Sequence, residues 1–169
     1  MTYSIPVNSK LPASGHHYMD TFSITLNRSH DVLQVVKAMF LSIPDWIKAM
    51  MVLRNTLVSG LGLKTSSETD DYQKIIEAFD GKLGSSIGLF HVFDRSDHEI
   101  ILGENDHHLD FRASLLLTPS KDKQELAFTT TVVFNNTLGK VYFAIVKPFH
   151  VIVVKSMLKA TKKYLEQGG

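Results

Sequence analysis

Cysteine is absent from this chain of 169 residues. That excludes disulfides, thiolate nucleophiles and thiolate zinc sites, and it fits a reducing compartment. Strong net charge is absent as well: with its eight histidines neutral the chain carries +1. The composition therefore points to no general polyanion partner, although Lys147, Lys155, Lys159, Lys162 and Lys163 make the C-terminal end locally basic. There is no Gly-rich phosphate loop and no basic run interleaved with aromatics, so nucleic acid is not an expected partner. No apolar run approaches the roughly 20 residues needed to cross a bilayer. The opening MTYSIPVNSKLPASG lacks the basic start and apolar core of a secretory signal. No internal repeat and no low-complexity tract is present. The expectation is a soluble, cytoplasmic protein with no membrane span.

What is present is ordinary for a globular protein: 44% hydrophobic and 21% charged residues. A chain of this length fits one domain that buries roughly two-thirds of its unfolded surface. Its stability therefore requires no metal, and no cofactor is expected. Residues 1–15 carry Pro6, Pro12 and Gly15 and read as an N-terminal arm; residues 16–167 read as a single domain.

Tyr18–Leu26 (YMDTFSITL) alternates, with Phe22, Ile24 and Leu26 on one side and threonine and serine on the other, as in a half-buried strand. Two helices are expected next. Ser29 is a candidate N-cap for Val32, Val35, Val36, Met39 and Phe40 at helical spacing, ending before Pro44. The second starts at Ser42–Asp45, with an apolar stripe of Trp46, Met50, Leu53, Leu57 and Leu61 and a stop at Gly60 or Gly62. Lys64–Ser86 is polar and looped around an ambiguous YQKIIEAF, and reads as the most mobile segment. IGLFHVF, EIILGE, HLDFRASLLL, ELAFTTTVVF and KVYFAIV then read as strands separated by turn signals. Pro148–Gln167 closes the chain as a long helix whose first half, FHVIVV, is apolar nearly all round and is expected to be enclosed by protein. The predicted class is α+β: an antiparallel sheet curled around a long C-terminal helix, with a two-helix insertion after the first strand.

The element order, with PDWIKAMMVLRNTLVSGLGL (Pro44–Leu63), GENDHHLDFR (Gly103–Arg112) and KPFHVIVVKSMLK (Lys147–Lys159) in it, resembles the START-like, or helix-grip, superfamily. More closely it resembles an uncharacterised bacterial family of domains of unknown function within that superfamily. The resemblance implies a cavity between sheet and long helix for a small apolar or amphipathic molecule. It implies no reaction and assigns no catalytic residue.

Alternation along HHLDFRASLLL puts Leu109, Phe111, Ala113 and Leu115 inward, and His108, Asp110, Arg112 and Ser114 outward. A two-residue turn at Asn105-Asp106 would pair Glu104 with His107, Leu102 with Leu109 and Ile100 with Phe111. Carried back one strand, the same parity turns Ile87, Leu89, His91 and Phe93 inward. His91, Glu104 and His107 are therefore the expected polar lining of one cavity. Thr130 joins them if Leu126, Phe128, Val132 and Phe134 point in, His150 approaches from the last helix, and Arg54 is a weaker candidate for holding a carboxylate at the mouth. For His91 the plain alternative is a core histidine satisfied by a hydrogen bond; for Glu104 and His107 it is a rim salt bridge. His108 with Asp110 is a poor metal pair on an outer face, and His16-His17 a poor chelator. Trp46 and Met50 read as core.

The first functional reading is thus binding of a small hydrophobic or amphipathic molecule, with His91, Glu104, His107, Arg54 and His150 as contacts. The second is an enzyme of the same fold, a cyclase, aromatase or hydrolase using His91 or His107 with Glu104. The third is a homo-oligomeric structural module whose own side chains fill the pocket.

Overall fold

A computed structural model describes residues 4–50 and 72–168. Its centre is a six-stranded sheet: β1 (Tyr18–Leu26), β2 (Ser86–Ile87), β3 (Phe90–Arg95), β4 (Glu99–Asn105), β5 (Leu109–Ser120) and β6 (Lys123–Phe134), in the spatial order β1-β6-β5-β4-β3-β2. All pairs are antiparallel, and β1 and β2 leave the sheet open at its two edges. The helices are α1 (Val32–Leu41), α2 (Tyr72–Ala78), which starts at the limit of the described residues, and α3 (Thr137–Glu166). Residues 45–50 are helical up to the limit of the described chain, so Arg54 and most of the expected second helix fall outside it.

One face of the sheet carries the main core. Phe22 and Leu26 of β1, Ile100 and Leu102 of β4, Leu115 and Leu117 of β5 and Leu126 of β6 pack against α1, Ile43 and Ile47, and against Val154 and Leu158 of α3. Asp31, not Ser29, caps α1: its carboxylate accepts from the Leu33 and Gln34 N–H groups while the Gln34 side chain accepts from the Asp31 N–H, a complete capping box. Ser29 loses because the helix needs its cap directly before Val32. Trp46 is 45% exposed rather than core, since Ile43 and Ile47 take the inward side of that turn.

The N-terminal arm covers part of the sheet's other face. Glu99 on β4 is buried and accepts hydrogen bonds from Ser9 Oγ, the Lys10 N–H and Ser114 Oγ. Thr21 Oγ1 lies 3.0 Å from Thr129 Oγ1 and donates to the Ser4 carbonyl.

The last helix departs from expectation in two ways. KVYFAIV is not a strand: α3 begins at Thr137, after the N-cap Asn136, and runs 30 residues through Pro148. A proline inside a helix leaves the carbonyl four residues back without its donor. Here Pro148 and Ala144 are both exposed, so that carbonyl is open to water. Nor is the helix enclosed. Phe143, Val154, Leu158 and Thr161 face the core, but Val141, Ile145, Phe149 and Ile152 are 50–64% exposed. The sheet is open, so it covers one side of the helix only.

Candidate functional site

The strand register sorts the core face into rows. One row runs Phe22–Phe128–Leu115–Ile100 and another Tyr18–Val132–Phe111–Glu104, both bulky. Between them lies Asp20–Thr130–Ala113–Leu102, which begins with a carboxylate, a hydroxyl and a methyl. The apolar core divides accordingly: a large cluster holds Phe22, Ile100, Leu115 and Val154, and a smaller one holds Leu109, Val132 and Phe143.

Asp20 is 0% exposed. Burying a carboxylate is costly unless donors replace its water. Tyr18 Oη donates to Oδ2 at 2.6 Å, and His150 Nε2, from α3, stands 3.3 Å from Oδ2 and 3.4 Å from Oδ1. The Tyr18 ring meets the His150 ring edge-on at 6.3 Å, and the Lys147 ammonium lies over the Tyr18 ring, 5.0 Å from its centre. Beside them Thr130 is buried, and its hydroxyl has no hydrogen-bond partner among the described residues. A carboxylate facing Nε2 holds the imidazole proton on that nitrogen, the arrangement that orients a histidine for hydrogen bonding or proton transfer through Nδ1. Parity already carried this signal: Asp20 shares its face with Phe22, Ile24 and Leu26.

The other expected residues fall in three places. His91 Nε2 lies 3.1 Å from Glu104 Oε2. Glu104 is buried on the core face, but the His91 side chain is 49% exposed. Parity failed on β3 because Ile87–Phe93 is not one strand. Gly88, at φ +58°, and Leu89 make a hairpin turn that pairs Ile87 with Phe90, and a bulge follows Val92. Phe90 and Val92 are the residues that pack into the core, not Leu89, His91 and Phe93.

His107 is not paired with Glu104. Residues 106–108 form the loop between β4 and β5, and Glu104 sits opposite Phe111, Leu102 opposite Ala113 and Ile100 opposite Leu115. The register is displaced by an even number of residues from the expected one, so the expected faces of β5 survive while the cross-strand partners change. His107 Nδ1 instead bonds Asp106 Oδ1 at 2.7 Å, and His108 Nδ1 is 3.3 Å from Asp106 Oδ2. His108, expected outside, is 3% exposed and meets the Tyr142 ring edge-on at 5.1 Å, because loop residues do not follow strand alternation. Asn135 and Asn136 clamp this loop: Asn135 Nδ2 donates to the Asp106 carbonyl and Asn136 Nδ2 to the His107 carbonyl. A Cβ on Gly139 would stand 2.0 Å from the His108 carbonyl oxygen, so α3 starts directly against the loop. Burial pushes the Asp106 carboxyl up, but the His107 N–H, the His107 ring and the charge of both imidazoles outweigh it and leave it below the usual range. Asp106, His107 and His108 are a group of three potential metal donors, with ligand atoms within 4.8 Å of one another. The hydrogen bonds just described account for that convergence.

Arg112, on the opposite face, is held by the Phe111 carbonyl at 2.7 Å and Asn105 Oδ1 at 2.7 Å, and its guanidinium stacks 3.5 Å from the Phe93 ring centre. Burial lowers its pKa, against the pull of Asp110 and Glu104. It lines a cavity of about 170 Å³ between the N-terminal arm and the sheet, with His16, Asp110 and Thr131. Asp110 bonds Asn135 Nδ2 at 3.0 Å.

Residues 12–157 match the family described as "protein of unknown function (DUF2867)". Two solved structures are similar to the chain. The Mll3558 protein from Rhizobium loti is 17% identical, with a TM-score of 0.47 over 87% of this chain and 96% of that one. An uncharacterised protein from Rhizobium leguminosarum is 14% identical, with a TM-score of 0.45 over 89% and 96%. No curated protein matches the sequence.

Proposed function

We propose, from the premise that the chain belongs to the DUF2867 family, that it binds a small apolar or amphipathic molecule between the sheet and α3. The polar end of that molecule would meet Asp20, Thr130 and His150. The observation that carries this reading is the buried Thr130 hydroxyl without a described partner, set beside a fully buried carboxylate in a row of small residues. An unmet buried hydroxyl costs about 1–3 kcal/mol, and a ligand group or a cavity water would remove that cost. The apolar rows on either side suit the rest of an amphipathic ligand. The START-like, helix-grip relation and a cytoplasmic setting go with this reading. Glu104 and His91 supply a second polar pair on the same sheet, next to Phe111 and Phe90. His107 and Arg54 remain secondary candidates, the first at the hairpin tip and the second outside the described residues.

A catalytic reading has one supporting observation, the Asp20–His150 pair, which has the form of an oriented general base. The Thr130 hydroxyl beside this pair makes no hydrogen bond to His150, so no activated nucleophile is assembled among the described residues, and binding is preferred.

The test begins with mass spectrometry of small molecules released from the purified native protein. The affinity of whatever is identified is then measured by calorimetry on Asp20→Asn, His150→Gln and Thr130→Val. Each should weaken binding by about tenfold or more, equivalent to about 1.4 kcal/mol. Unchanged affinity in all three would remove the site. His91→Leu and Glu104→Gln report separately on the second pair.

A further inference from the structure

We infer that the outer face of α3 docks on an anionic lipid surface, lying along it rather than crossing it. Two independent features of the helix point there. The first is an apolar ridge. Val141, Ala144, Ile145, Pro148, Phe149 and Ile152 recur at helical spacing, and all are exposed. The twelve residues from Val141 to Ile152 make a strip about 16 Å long. A ridge of this kind on a helix already packed by its opposite side marks an interaction surface.

The second feature is charge. The helix carries six lysines and one glutamate, a net +5 in a chain whose total is +1. Lys159 and Lys163 continue the line of the ridge on the same exposed side, two and three turns beyond Ile152, and the exposed Lys155, one turn beyond it, has its ammonium 5.4 Å from the Phe22 ring centre. Lys140 and Lys147 are exposed as well but lie off the line of the ridge, and the Lys147 ammonium is turned to the Tyr18 ring. Glu166 is engaged by Asn27 Nδ2 at 2.7 Å and stands 3.6 Å from Lys162 Nζ.

Apolar side chains that enter the acyl boundary, with lysines that meet headgroups, are the two parts of an interfacial helix. Although the helix is long and apolar enough to cross a bilayer, lying along the surface fits the packing, because Phe143, Val154, Leu158 and Thr161 hold its inner side in the protein core. A second copy of the chain fits less well. Aligned in parallel, two such helices would set lysine against lysine. Aligned antiparallel, they would lay lysines over the apolar ridge, with only Glu166 to answer six cations. An anionic bilayer satisfies both halves at once.

The experiment is vesicle flotation of the full chain. One set of vesicles is phosphatidylcholine alone; the other contains about one-third phosphatidylserine. The protein should float with the second set and not the first, and raising the salt should weaken its binding, because surface charge is screened. Ile145→Ser with Phe149→Ser should lower binding tenfold or more, leaving the melting temperature unchanged. Lys159→Gln with Lys163→Gln should remove most of the preference for phosphatidylserine. Three results would overturn the inference. The first is no flotation with either set. The second is a dimer in analytical ultracentrifugation that the two serine substitutions dissolve, which would assign the ridge to a second copy. The third is a clear fall in melting temperature on those substitutions, which would mean that the chain's own residues cover the ridge.

Discussion

Two carboxylates are buried on opposite faces of one sheet, and they are treated differently. Glu99 is 1% exposed and Asp20 is 0% exposed. Glu99 receives three protein donors, from Ser9, Lys10 and Ser114, and two of these come from the N-terminal arm. It is a finished joint: its acceptor capacity is used in fastening the arm to β4 and β5. Asp20 has one short hydrogen bond, from Tyr18, and one loose contact, to His150, beside a hydroxyl with no described partner. Full satisfaction of a buried charge builds structure, whereas partial satisfaction leaves a cost that a further donor would remove.

The comparison breaks most visibly at Glu99. Glu99→Ala should cost about 3–5 kcal/mol in urea unfolding, because it strands buried donors and frees the arm. Hydrogen exchange at the Lys10 amide should accelerate in the same variant, since its acceptor is lost. A loss under about 1 kcal/mol would mean that the arm holds on by other contacts and that Glu99 is no joint.

At the unfinished site the sign should reverse. Thr130→Val keeps the shape and strand preference but deletes the unmet hydroxyl, so it should stabilise the free protein by about 0.5–1.5 kcal/mol. It should weaken ligand binding at the same time, the trade expected where a site is held ready at the expense of stability. If Thr130→Val destabilises in thermal melts, the hydroxyl has a partner and the contrast with Glu99 disappears.

Asp106 offers a third environment, a carboxylate at the hairpin tip with an imidazole at each oxygen. Its folded pKa lies below the ordinary value of 3.8. A depressed carboxyl contributes stability that is complete above its unfolded pKa and is lost as pH falls through the folded one. Stability should therefore decline in acid below about pH 4, and Asp106→Asn should make that acid limb shallower with little change in its position at the alkaline end. Melting temperatures measured from pH 2 to pH 6 would show it; an identical acid limb in the variant would remove Asp106 from the account.

How much of this was legible depended on whether a local rule applied. β1, α1 and the inward set Leu109, Ala113 and Leu115 followed from alternation and helical spacing, because each is a single uninterrupted element whose apolar residues recur on one face. His91 was misplaced because Gly88 turns the chain between Ile87 and Phe90, and a hairpin within an apolar run leaves no compositional break. The β4–β5 partners were displaced because four residues, Asp106–Leu109, separate the last pair, Asn105 and Asp110, so the turn is centred two residues later than expected, which no alternation pattern reveals. KVYFAIV was read as a strand since its β-branched and aromatic residues favour one; the cap at Asn136 and continuity through Pro148 override that local preference. The Asp20–His150 pair joins β1 to α3 across 130 residues, and only tertiary structure could bring it together.

The smallest expected effect separates the third carboxylate on the sheet from the first two. Glu104 is buried, but its partner His91 is half-exposed. An ion pair with one member in water contributes little, because solvent screens it and the long side chains must be ordered to form it. His91→Leu should change stability by no more than about 0.5 kcal/mol, a value typical of surface substitutions. The same substitution at His150, which is 18% exposed against a fully buried Asp20, should cost more, about 1–2 kcal/mol, because it leaves a buried charge with fewer donors. Urea melts of the two single variants at neutral pH make the comparison directly. Equal losses would place His91 in an environment as closed as that of His150. A larger loss at His91 would make the Glu104 pair, and not the Asp20 row, the polar centre of this sheet.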